Sequence, residues 1–357
     1  MTLTLLTPGS HASNEDYCES EKALILRYAQ IELNELSNDS SLKTPICKEV
    51  KMGNDFAGNR YCIIECEPTG YLIMNYHSGI FTEISLENPS PYEGFMGEYY
   101  YGGPMNYYVR QKDDKCINVV NGATASFQTV QEKAFHYSKC MHEQMVDELD
   151  NRGNVVPWGR MEEYEGLSSK SGDDGGDVGS VVYVPNMSYI SSLRTKTEMG
   201  YTTDGNAGMC GWITSGIYLL WLHRRNNNSI IPQHYLTNGK FNGSSFTWLL
   251  RSYGLWSYTM ISDLCTAINR YASVYSKPIF TTFLQNCNRT VIASYIDRGI
   301  PVLVKSTFPD NGCNEMHYVV MYGHNSEYLI CHFGWEGQSN TYIRWFSETE
   351  GMIIRMR

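Results

Sequence analysis

Gly205-Asn206-Ala207-Gly208-Met209-Cys210-Gly211-Trp212 leads a glycine-rich approach into a cysteine, and the chain changes period directly after it. Ile213, Ile217, Leu220 and Trp221 recur at helical spacing up to Arg225, which places Cys210 at or near the N-terminus of a buried helix. Unsatisfied amides and the positive dipole end at such a position favour the thiolate, the nucleophilic form of the side chain. A small cysteine that merely packs at a helix start fits this segment equally well.

A thiolate nucleophile needs a base, and the chain supplies one far downstream. Ile296-Asp297-Arg298-Gly299-Ile300-Pro301-Val302-Leu303-Val304-Lys305 reads as a helix end, a glycine stop and a buried strand. A polar loop from Phe308 to Glu315 follows, and then His317-Tyr318-Val319-Val320-Met321-Tyr322-Gly323, a strand that opens with a histidine. A further strand, Tyr328 to Phe333, runs into Gly334-Trp335-Glu336-Gly337. A lone histidine at a strand start is more often structural. Paired with a helix-start cysteine in the same half, it becomes a candidate general base.

The first half has its own pattern. Residues 14 to 36 predict an amphipathic helix, with Leu24, Leu26, Tyr28, Ile31, Leu33 and Leu36 among charged and amide residues. Tyr61–Cys66, Tyr71–Tyr76 and Ile80–Leu86 are β-rich runs separated by turn residues, an antiparallel meander. Thr129 to Leu149 predicts a second helix, with Thr129 and Glu132 as a capping box. Ser168-Ser169-Lys170-Ser171-Gly172-Asp173-Asp174-Gly175-Gly176-Asp177 has almost no apolar content and reads as a linker. The expected organisation is a domain over 1–150, a flexible acidic linker over 151–180 and a second domain over 181–357.

Composition narrows the function classes. Charged residues are 18% of the 357-residue chain, while 27 Tyr and 31 Gly argue for a folded, turn-rich protein and against a disordered one. A net charge of -10 removes the basic footprint of a nucleic-acid binder. The apolar run Ile217–Leu222 is far shorter than the roughly 20 residues of a membrane span. Thr2 to Thr7 followed by Ser10-His11-Ala12 has the look of a signal cleavage region without a preceding Lys or Arg, so export is expected from an incomplete or absent signal. Eleven cysteines spread along the chain leave an odd sulfur, a flag for a reactive thiol. Cys313, His317, His324, Cys331 and His332 offer zinc-type donors, but neighbours such as Cys331 and His332 point to opposite strand faces, and no metal is expected.

Cys210-Gly211 at a helix start, His317-Tyr318-Val319-Val320 after the Gly-Ile-Pro-Val strand, and the Gly334-Trp335 turn before Tyr342-Ile343 together resemble papain-like cysteine peptidases of the streptopain type. Glu67-Pro68-Thr69-Gly70-Tyr71 and Pro89-Ser90-Pro91-Tyr92 are similar to the propeptide of that type. The resemblance implies an α+β papain-like fold, a helix carrying the cysteine and an antiparallel sheet carrying the histidine, preceded by an α+β pro-domain with the meander. It implies that Cys210 attacks the scissile carbonyl and that His317 shuttles the proton, as a thiolate–imidazolium pair acting through a thioester without a cofactor. The family's histidine-orienting Asn or Asp falls at His332, a departure, and Trp335 would shield the site. Asp204 stands where the family has its oxyanion-hole Gln, so the Cys210 amide and the Asn206 side chain are the candidate donors. The function expected is a secreted or cell-surface bacterial cysteine endopeptidase precursor, with peptide or protein substrates and an intramolecular pro-domain as partner. A leader-processing peptidase is a relative of that reading. The rival is an inactive peptide- or surface-binding relative, which His332 and Asp204 favour.

Overall fold

The computed structural model describes residues 19–37, 44–120, 122–151, 181–193, 209–226, 229–237, 240–254, 260–307, 316–334, 338–344 and 349–356. Residues 14–18 of the first expected helix and the linker after Asn151 lie outside them. Helix α1 (Glu19–Ser37) buries Ile25, Ala29, Leu33 and Leu36, one row at four- and three-residue spacing. Of the expected positions Leu33 and Leu36 are buried and Leu26 and Tyr28 pack against the core, whereas Ile31 is exposed. Strand β1 (Ile46–Asn54) pairs with β2 (Arg60–Glu67), and β2, β3 (Tyr71–Asn75) and β4 (Phe81–Ser85) form the expected meander. Strands β5 (Glu98–Tyr101), β6 (Tyr107–Arg110), β7 (Lys115–Asn118) and β8 (Thr124–Ser126) add a second meander beside β1.

Helix α2 (Phe127–Asn151) begins two residues earlier than the sequence suggests. Ser126 Oγ accepts from the Thr129 amide at 3.2 Å, so Ser126 is the cap and Thr129 lies within the first turn. The second half opens with β9 (Val182–Tyr183) and the short α3 (Ser188–Ser191). Then come α4 (Cys210–Arg225), a small hairpin of β10 (Leu236–Thr237) and β11 (Lys240–Phe241), α5 (Gly243–Ser252) and α6 (Ile261–Val274). Strand β12 (Ile279–Cys287) leads through α7 (Arg289–Ile296) into β13 (Val302–Thr307), β14 (Met316–His324), β15 (Leu329–His332), β16 (Thr341–Ile343) and β17 (Thr349–Met356).

The result is a mixed α+β architecture around a large, mostly antiparallel sheet. Its order is β12-β17-β13-β14-β15-β16-β4-β3-β2-β1-β5-β6-β7-β8, with β9 attached to β14. The join between the halves is β16 against β4, with Thr341 opposite Ser85, Tyr342 opposite Ile84 and Ile343 opposite Glu83. One apolar core runs under both halves, from Ile25 and Leu72 to Ile217 and Ile353. The Tyr328 hydroxyl donates to Glu32 at 2.9 Å, tying α1 to the second half as well. Helix α4 is buried from Gly211 to His223, so it sits within the second half's core, packed on β13 and β14. Gly254 lets it fit, since a Cβ there would lie 2.8 Å from the Trp212 ring.

Candidate active site

Cys210 is the first residue of α4 and is half-buried. The residue before it, Met209, stands at the N-cap position and makes no side-chain cap. The turn is braced from inside instead. Thr214 Oγ1 donates to the Cys210 carbonyl at 2.8 Å, and Ser215 Oγ donates to the Gly211 carbonyl at 2.7 Å. The Cys210 sulfur is not in a disulfide.

His317 lies near the start of β14, opposite Ser306 of β13, and its Nε2 is 2.7 Å from the Phe333 carbonyl oxygen. A carbonyl only accepts, so Nε2 carries the proton and Nδ1 carries the lone pair. The imidazole also stacks on the Phe333 ring, with centroids 6.0 Å apart and planes 19° apart. Burial pulls the His317 pKa down to about 4, against the smaller raising effect of the Phe333 carbonyl. The resting imidazole is therefore neutral at physiological pH, where a thiolate–imidazolium pair would have it charged.

A chain of contacts joins the two residues. Phe333 is followed by Gly334, which has φ of +80° and approaches α4 so closely that a Cβ would lie 3.3 Å from the Thr214 methyl group. Thr214 is the residue that braces the Cys210 carbonyl. Tyr318, next to His317, has its hydroxyl pushed up by burial first and then by the charge of Cys210. The helix start and the histidine strand thus meet at the turn after β15.

His332 is turned elsewhere. Its Nδ1 accepts from the Gly334 amide at 2.8 Å, and its Nε2 donates to the Leu193 carbonyl at 3.1 Å. Both nitrogens are held by backbone, burial lowers the pKa to about 4, and neither ring nitrogen points to His317. The direct orienting role expected of His332 is therefore not the one its geometry supports. The Phe333 carbonyl, one residue on, holds His317 at Nε2. Main-chain acceptors leave no mark in residue identity, and the sequence gives no signal for it.

Asn206, Asp204 and Trp335 lie outside the described residues, as does Cys313. Among the described residues no three His, Cys, Asp or Glu side chains are placed to share a metal ion. His324 instead contacts Asp297 at 2.8 Å, and Cys331 donates to the Thr341 carbonyl at 3.5 Å. No described helix is long and apolar enough to cross a membrane.

The chain matches no known protein family and no curated protein. Among solved structures it is similar to the prointerpain A fragment of Prevotella intermedia, at 10% identity and a TM-score of 0.39. That likeness covers 86% of this chain and 98% of the other. It is too loose to fix fold or chemistry, and both rest on this chain's own residues.

Proposed function

We propose that the chain is the precursor of a papain-like cysteine peptidase, with Cys210 as nucleophile and His317 as general base. The observation that supports this best is the meeting of the α4 N-terminus with His317 at the Phe333–Gly334 turn. The neutral imidazole holds its Nε2 proton on the Phe333 carbonyl, so Nδ1 takes the thiol proton as sulfur attacks the peptide carbonyl. The Cys210 amide at the helix start donates to the developing oxyanion. The proton on Nδ1 then passes to the leaving amine, and water hydrolyses the thioester by the reverse route. Substrates are peptides or proteins, met outside the cell.

The first half acts in this reading as a pro-domain attached along β16, with activation by a cut in the 151–190 segment. The engagement of His332 away from His317 favours one rival, a catalytically inactive peptide-binding relative. A peptidyl thiol-reactive probe separates the two on the full chain and on material nicked between 151 and 190. Labelling at Cys210 that disappears in His317→Ala supports the peptidase. Peptide binding without labelling in either form supports the rival.

A further inference from the structure

We propose that Cys47 and Cys66 form a disulfide that closes the open end of the β1–β2 hairpin. The two residues face each other across the antiparallel pair, with their sulfurs 3.8 Å apart. Their position in the ladder is the favourable kind. The Cys47 amide donates to Gln30 Oε1 at 2.9 Å, and the Cys66 amide donates to the Gly70 carbonyl at 3.0 Å. Neither amide bonds to the facing cysteine, so this is a non-hydrogen-bonded pair, in which Cα atoms stand about 4.5 Å apart and side chains lie closest. That separation falls within the disulfide range, and rotation about χ1 brings sulfurs from this distance to bonding distance. Both side chains are partly exposed, so an oxidant of small size reaches them.

The surroundings favour a fixed pair over an accidental contact. Gln30 of α1 also donates from Nε2 to the Pro45 carbonyl at 3.0 Å, so one side chain clamps the strand on both sides of Ile46. The ladder shifts register between Cys47 and Glu49, which isolates the cysteine pair from the rest of the hairpin. The cross-link would tie β1 to β2 beside the helix that Glu32 connects to Tyr328.

The reaction is thiol–disulfide exchange with a low-molecular-weight disulfide such as oxidised glutathione. One cysteine thiolate attacks the glutathione disulfide, forming a mixed disulfide and releasing one glutathione thiolate. The second protein thiolate then attacks the protein sulfur of that mixed disulfide and expels the other glutathione. Two protein thiols are oxidised, one glutathione disulfide is reduced to two thiols, and protons balance.

The test uses the full chain equilibrated with oxidised glutathione, blocked with N-ethylmaleimide, digested without reductant and mapped by mass spectrometry. The expected result is a linked peptide pair containing Cys47 and Cys66, two hydrogens lighter than the separate peptides. Thermal unfolding gives a second readout. A phosphine reductant should lower the melting temperature of wild type by several degrees and leave that of the Cys47→Ser/Cys66→Ser double variant unmoved. Should both cysteines emerge alkylated or separately glutathionylated, or should either be linked to another cysteine, the proposal fails. The peptide map on wild type decides the matter even if the double variant folds poorly.

Discussion

Glu83→Gln is the most informative change at the junction of the two halves. Glu83 lies on β4 opposite Ile343 and is fully buried. Its carboxylate receives hydroxyl hydrogens from Tyr71 at 2.5 Å, from Tyr101 at 3.2 Å and from Tyr107. Burial raises its pKa from 4.5 to about 7, against the lowering effect of the three phenols. The folded state therefore binds this proton more tightly than the unfolded chain. Its stabilisation is fully present below about pH 4.5 and is lost as pH rises through about 7. At about 1.4 kcal/mol per pH unit, that amounts to about 3 kcal/mol. His317 and His332 act in the opposite sense, because burial lowers both to about 4 and their contribution is lost as pH falls from 6.5. The difference between wild type and Glu83→Gln isolates the carboxyl from them. Urea unfolding at steps from pH 4.5 to 8 should show wild type losing about 3 kcal/mol relative to the glutamine variant. Parallel curves would refute the burial-driven assignment.

Three further outcomes are expected. Near neutral pH, limiting iodoacetamide should modify Cys210 well before Cys287 and Cys331, whose thiols burial pushes up, to about 12 in the case of Cys287; peptide mapping reads the order. His332→Ala strands the buried Gly334 amide and Leu193 carbonyl, at about 1–3 kcal/mol for each unpaired group, and should remove part of the stability loss between pH 6.5 and 4; chemical unfolding measures both. Gly334→Ala forces a Cβ into a left-handed position against Thr214, destabilises by about 1–2 kcal/mol and should slow probe labelling of Cys210 by displacing the Phe333 carbonyl. Unchanged labelling in Gly334→Ala would separate that turn from the chemistry.

The elements legible in the sequence are those with strong local period. Cys210 at a helix start, the β13–β14 hairpin and the β2–β4 meander follow from apolar spacing and turn residues. Strands β5 and β6 escape that reading because Tyr99, Tyr100, Tyr101, Tyr107 and Tyr108 give no alternation, although they make ring contacts with Phe56, Tyr61 and Tyr92. On α1 the spacing finds Leu33 and Leu36 but passes over Ile25 and Ala29, which complete the buried row, and it includes Ile31, which is exposed. The candidate site divides the same way. Its two reactive side chains are local signals, whereas the Phe333 carbonyl depends on a turn held by His332 and Gly334. The β4–β16 join is a long-range pairing, and a period within either strand carries no trace of its partner.

That join changes what activation requires on the proposed reading. If the chain is cut in the 151–190 segment, the halves remain paired along β4 and β16, with Ser85 Oγ donating to the Asn340 carbonyl at 3.4 Å and Tyr328 donating to Glu32. The tether's high effective concentration is lost, but the shared apolar core is not. Separation would leave β16, three buried residues, as an unpaired sheet edge that favours re-pairing. Cleavage and release are thus two steps with different controls. The first depends on access to the linker, and the second on the strand seam, where Glu83 is held among its tyrosines. The proton on Glu83 strengthens the fold of the first half beside that seam, and rising pH through about 7 removes that contribution.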